Sequence, residues 1–97
     1  MFRITTHATA DNVVLKLEGW LWGAWVGELD DCWRGVTARL NGRPIVIDLT
    51  DVSSVDDTGR RLLALMYSDG ARFVARGCVM PELVREIEES VGAGAGR

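Results

Sequence analysis

Between Pro44 and Tyr67 the chain switches from an apolar run to a polar stretch and back to an apolar periodic one. Ile45, Val46, Ile47 and Leu49 form a nearly continuous apolar run, the pattern of a central strand covered on both faces. Asp48 and Asp51 mark its carboxyl end, and a loop over Asp51–Asp56 leads to Asp57-Thr58-Gly59, where a helix can start. Thr58 or Asp57 is the expected cap, its side chain accepting a backbone N–H of the first turn. Leu62, Leu63, Leu65 and Met66 give this helix a wide apolar face, and Ser68-Asp69-Gly70 ends it.

Upstream, residues 2–7 read as a first strand with Phe2 and Ile4 on one face, Ala10-Asp11-Asn12 as a turn, and Val13–Glu18 as a second strand antiparallel to the first. Trp25, Leu29, Trp33, Val36 and Leu40 then recur at spacings of three and four, one face of a helix that Val26 widens and Asn41-Gly42 ends. Trp25 and Trp33 are expected in the core. Trp20 and Trp22 fall in the loop before the helix, where partial exposure is expected. Downstream, Ala71–Arg76 reads as a fourth strand closed by Gly77. Pro81 suits the first turn of a third helix whose stripe is Leu83, Val84, Ile87 and Val91. Glu86, Glu88 and Glu89 suit its solvated side. The order is β-β-α-β-α-β-α: an α/β fold whose two strand–helix–strand units imply a partly parallel sheet.

Composition narrows the function classes. Ninety-seven residues, 47% of them hydrophobic, suit one globular domain, here residues 1–91, followed by a flexible Gly/Ala tail over 92–97. A net charge of −3 argues against nucleic-acid binding, which needs basic surface to displace counterions. Cys32 and Cys78 are far apart, neither sits in a C-x-x-C pair, and no histidine lies near either, so no zinc site is expected. The start Met1-Phe2-Arg3-Ile4 lacks the apolar region of an export signal, and no apolar run approaches the ~20 residues of a membrane span. The expectation is a soluble cytoplasmic protein without membrane insertion, its cysteines reduced.

Catalytic signatures are missing from the sequence. There is no G-x-S-x-G elbow and no G-K-[ST] loop, and His7, the only histidine, has no carboxylate or nucleophile beside it. Neither an enzyme nor a cofactor is expected. Ligands of open α/β sheets meet the protein beyond the carboxyl ends of strands. That rule singles out Ser53, Asp56, Asp57, Thr58 and Gly59, with Arg60 and Arg61 in the following turn and able to offset the acidic pair. Trp20 and Trp22 are the candidate interface aromatics, because exposed aromatic residues are enriched at interfaces.

The stretch Ile47-Asp48-Leu49-Thr50-Asp51-Val52-Ser53-Ser54-Val55-Asp56-Asp57-Thr58-Gly59, followed by an apolar helix, resembles the central motif of STAS domains, the anti-sigma factor antagonists and their relatives. Leu17-x-Gly19-x-Leu21 and the run Gly70–Gly77 extend the resemblance over most of residues 2–91. It implies a small mixed sheet of about four strands with three helices mainly on one side. It also implies partner switching in transcription regulation: in antagonists of this bacterial family a serine after the loop Asp is phosphorylated by an anti-sigma kinase, and only the unphosphorylated form binds that kinase. The chain departs from the pattern. Asp57 stands at the phosphoacceptor position and cannot take a phosphate ester, Thr58 is the neighbouring hydroxyl and the alternative phosphoacceptor, Trp22 replaces a frequent acidic residue, and Arg60 replaces an apolar one. The chain also stops after its third helix, where longer members continue.

The resemblance thus implies a protein partner, an anti-sigma factor kinase, docked on Ser53–Arg61. A second reading within the same class is a small STAS subunit binding a transporter ATPase or a sensory scaffold. A reading from another class is a Mg²⁺-dependent phosphoacceptor receiver, to which Asp48, Asp51, Asp56 and Asp57 would supply oxygen ligands. In the plainest reading, Asp57-Thr58 only caps the helix.

Overall fold

A computed structural model describes residues 1–75 and 85–89. Its elements are β1 (Phe2–Ala8), β2 (Val13–Leu21), α1 (Ala24–Thr37), β3 (Ile45–Val55), α2 (Asp57–Ser68) and β4 (Arg72–Val74). Residues 85–89 are also helical. The rest of the expected third helix, with Pro81, Leu83, Val84 and Val91, lies outside the described residues, as do Cys78 and the expected tail.

The four strands form one sheet in the order β1-β2-β3-β4. β1 and β2 are an antiparallel hairpin, whereas β2–β3 and β3–β4 pair in parallel. This is the mixed sheet that two strand–helix–strand units require, and β3 is internal as its apolar run suggested. One expectation is corrected. β3 is not covered on both faces: Ile45, Ile47 and Leu49 are buried, while the alternate residues Val46, Asp48 and Thr50 are only half-buried. β2 repeats the pattern with Val13, Leu15 and Leu17 buried and Lys16 exposed. Period-two alternation of this kind marks a sheet packed on one face.

The core lies on that face. Val26, Leu29 and Trp33 from α1 and Leu62, Leu63 and Met66 from α2 close over the strand residues, and Ile87 joins them from 85–89. Removing each large side chain from water contributes about 1.5–3 kcal/mol. Among the described residues no helix is long and apolar enough to cross a membrane.

Three further expectations shift. Trp25 is not core: it is 38% exposed, at the edge of the stripe that Val26, Leu29 and Trp33 bury and about 100° around the helix from Val26. Leu65 is 55% exposed, pointing away from the face that Leu62, Leu63 and Met66 share. Helix α1 stops at Thr37 rather than at Asn41-Gly42, which instead form a tight turn with positive φ.

Both central strands run further than their apolar patterns. β2 continues through Gly19, Trp20 and Leu21, so Trp20 sits in a strand and not in a loop. β3 continues through Val52 to Val55, and the expected loop over Asp51–Asp56 does not exist. The extension is irregular. Partners step from Lys16↔Asp48 to Glu18↔Asp51, and from Gly19↔Val52 to Trp20↔Ser54, so β3 carries an extra residue at two places. Bulges bend a strand and re-aim its end. Here they switch the inward residue from Leu49 to Val52, three positions on. Gly19 is obligatory in this segment. Its φ is +93°, and a Cβ would run into the Met1 carbonyl, which accepts the Trp20 N–H at 2.9 Å.

Candidate functional site

The carboxyl ends of β2 and β3 lie side by side, Leu21 paired with Val55, and each strand then turns into a helix. Asp56 joins the two turns. Its N–H donates to the Leu21 carbonyl at 3.2 Å, and its own carbonyl accepts the Arg60 N–H at 2.9 Å. Its carboxylate accepts the Gly23 N–H at 3.0 Å on Oδ2 and the Gly59 N–H at 2.7 Å on Oδ1. Asp56 is therefore the N-cap of α2, correcting the expectation of Thr58 or Asp57, and the same side chain ties α2 to the connection that starts α1. The cap falls here because Asp56 keeps extended backbone, φ −83° and ψ 179°, while Asp57 and Thr58 are already helical.

These bonds set the charge of the corner. The Gly23 N–H first, and the Gly59 N–H second, hold the Asp56 carboxyl below the ordinary value of 3.8. The folded state therefore binds its proton less readily than the unfolded chain does. The stabilisation is fully present above about pH 4 and is lost as pH falls through the lowered folded value. Melting curves of the wild type and of Asp56→Asn should differ most at neutral pH, the wild type being more stable, and converge as pH falls below about 4. Curves that stay parallel would remove the carboxylate from this role.

Asp57 and Thr58 form the first turn of α2 and are exposed, whereas Gly59 between them and the core is buried. Asp57 lies at the positive end of the helix dipole, which favours its charge. A Cβ on Gly59 would come within 2.8 Å of both the Leu21 carbonyl oxygen and Val55 Cγ1. Glycine is what allows α2 to start against the ends of both strands. Ser53 is exposed and donates to the Gly19 carbonyl at 3.3 Å.

Aromatic side chains border the corner. Trp22 Nε1 donates to Ser54 Oγ at 3.0 Å, and the Trp20 and Trp22 rings stack at 5.3 Å with 21° between planes. They remain 48% and 45% exposed. Trp25 packs elsewhere, tilted against Phe2 at 6.4 Å. Arg60 and Arg61 are exposed, but Arg60 turns to Glu86, 3.2 Å away, rather than toward the acidic pair as expected.

Asp48, Asp51, Asp56 and Asp57 do not converge. Asp48 accepts the Thr50 N–H at 2.9 Å, Asp51 pairs with Lys16 at 3.2 Å, and Asp56 is held by the two glycine N–H groups. Among the described residues no three acidic, histidine or cysteine side chains gather as a metal site would need. What the corner offers is a fixed surface: exposed Asp57-Thr58 on a rigid helix start, flanked by stacked indoles. The sequence reading singled out this stretch but missed the joint between the two strand ends. Asp56 followed three residues later by Gly59 was the available signal, since an N-cap side chain receives the N–H three positions on.

No family model matches the chain, and no curated protein matches it in sequence. Solved structures do. An anti-sigma factor antagonist from Mycobacterium paratuberculosis superposes with a TM-score of 0.73 at 21% identity, covering 93% of this chain and 82% of that one. The structure of Mglu matches with a TM-score of 0.60 at 26% identity, over 77% of this chain but 19% of that much longer one. An antisigma-factor antagonist STAS domain from Rhodobacter sphaeroides gives 0.54 at 18% identity, with 78% and 86% covered. The chain has the STAS fold of the anti-sigma factor antagonists, as its central motif implied.

Proposed function

We propose that the chain is a non-enzymatic regulatory module that docks a protein partner, an anti-sigma factor kinase or a similar ATPase, through the Asp56–Gly59 corner. The observation that carries the proposal is the exposed Asp57-Thr58 step, held rigid by Asp56 and Gly59 beneath it and bordered by Trp20 and Trp22. Rigid, pre-formed surfaces lose little entropy on docking, and exposed indoles supply the apolar anchors that interfaces favour. Support for the class comes from the shared fold with two anti-sigma factor antagonists.

Docking is constitutive in this proposal. Asp57 carries a fixed negative charge where a switchable hydroxyl would otherwise sit, and a carboxylate has neither the full charge nor the three acceptor oxygens of a phosphate. The partner therefore reads a permanent surface. The transporter-subunit variant of this reading shares the corner and differs only in which ATPase docks. The receiver reading is set aside because Asp48, Asp51 and Asp56 are turned to different partners and only Asp57 is left exposed.

Captured from native cytosol and identified by mass, the partner should be a kinase-like or transporter ATPase. Its affinity should fall at least about tenfold, some 1.4 kcal/mol, with Asp57→Arg or Trp22→Ala, and stay unchanged with the remote Arg72→Ala. Equal binding by all four proteins would reject this corner. Offered the captured kinase, Asp57→Ser should take up no phosphate while still binding it; phosphate uptake would instead reveal a surviving phosphorylation cycle.

A further inference from the structure

We infer a second site at the opposite end of α1: a cleft between β1 and α1 that takes a medium-chain carboxylate, its hydrocarbon tail inside and its head group on Arg39. The cleft has a volume of about 420 Å³, within the range of small-molecule sites. The sequence leaves it open. Along the inward face of β1 the side chains run Phe2, Ile4, Thr6, Ala8, large at one end and small at the other. Phe2 packs against Trp25 near the start of α1. Toward the helix's far end Thr6 and Ala8 do not span the gap, and on the helix side the facing residue is Gly35. A Cβ there would have nothing within 4 Å.

The walls are mostly apolar, formed by Val13 and Val36 with Ala8, and Cys32 adds a half-buried thiol. Among the described residues Arg39 is the only charged one lining it. Among the described residues its guanidinium has neither a salt bridge nor a hydrogen-bond acceptor, in contrast to neighbouring Arg43, whose fork is spent on the carbonyls of Thr9, Arg39 and Leu40 at 2.8–2.9 Å. An apolar cleft with one free cation at its edge complements an amphipathic monoanion. A planar guanidinium matches a carboxylate with two parallel hydrogen bonds. The site is independent of the docking corner, which lies at the start of α1 about 20 Å away along the helix.

Titration of the ¹⁵N-labelled protein with decanoate tests the inference. Amide shifts of Thr6, Ala8, Cys32, Gly35 and Val36 should move and saturate, with those of Asp56–Gly59 unchanged. Decanol, which has the tail without the charge, should bind at least about tenfold more weakly, and so should decanoate to Arg39→Gln, an exposed change that leaves the fold intact. Hexanoate should also be about tenfold weaker, because a shorter tail buries less apolar area. Gly35→Leu, which fills the cleft, should remain folded and lose binding. No saturable shift, equal affinity for decanol, or unchanged binding by Arg39→Gln would overturn the assignment. So would shifts of the same amides on dilution with a matching change in mass, since these would give the cleft to a second copy of the chain.

Discussion

Gly59→Ala should destabilise the protein by about 1–3 kcal/mol, although the same change in an open helix position stabilises. The added methyl group would stand 2.8 Å from the Leu21 carbonyl oxygen, and that oxygen belongs to strand backbone, which cannot swing aside as a side chain can. Relief would require α2 to move away from the ends of β2 and β3. The same movement would lengthen the Gly59 N–H to Asp56 bond, so the docking corner should distort together with the loss of stability. Gly35→Ala is the internal comparison. It lies mid-helix in α1 with open space over it and should gain up to about 1 kcal/mol from helix propensity. Denaturant unfolding of the two variants should give shifts of opposite sign. Equal gains would show that α2 does not start in close contact with the strand ends.

Leu63→Ala should cost about 2–5 kcal/mol, the loss expected when a fully buried leucine leaves a cavity. Leu65→Ala, two positions along the same helix, should change stability by less than about 0.5 kcal/mol. Leu63 is 0% exposed at the centre of the core, whereas Leu65 is 55% exposed. For a domain near 100 residues, 1 kcal/mol corresponds to roughly 4–8 °C in melting temperature, so the first variant should melt at least about 8 °C lower and the second close to wild type. The pair measures the rotation of α2. A comparable loss in both would mean that Leu65 is covered, either by the helix turned on its axis or by another surface.

The two leucines also show the resolution of a sequence pattern. Leu62, Leu63, Leu65 and Met66 all belong to an apolar run, and a wide stripe at helical spacing does not tell which edge residue turns outward. The facing strands decide that. Trp25 presents the same case. Trp25, Leu29 and Trp33 have helical spacing, but so do Val26, Leu29 and Trp33, and the second set lies over the sheet. Neither aromatic bulk nor periodicity alone chose between them.

Strand ends were less legible than strand existence. The stretch after Leu49 reads as polar loop because Thr50, Asp51, Ser53 and Ser54 are hydrophilic, yet it is strand to Val55. Its backbone is paired with Gly19, Trp20 and Leu21, residues more than thirty positions earlier, and the two bulges hide the period-two signal that would have marked it. Non-local pairing of this sort overrides local polarity.

By itself the sequence determined the α/β class, the order of elements and most of the apolar residues that build the core, Trp25 and Leu65 excepted. Those follow from periodicity and turn chemistry, which act over a few residues. The tertiary structure alone decided that the core packs on one face of the sheet, that Asp56 binds two separate connections at once, and that Thr6, Ala8 and Gly35 leave a cleft between them. Each of these depends on groups distant in sequence meeting in space, where a carboxylate finds its N–H donors and a missing side chain finds no neighbour to replace it.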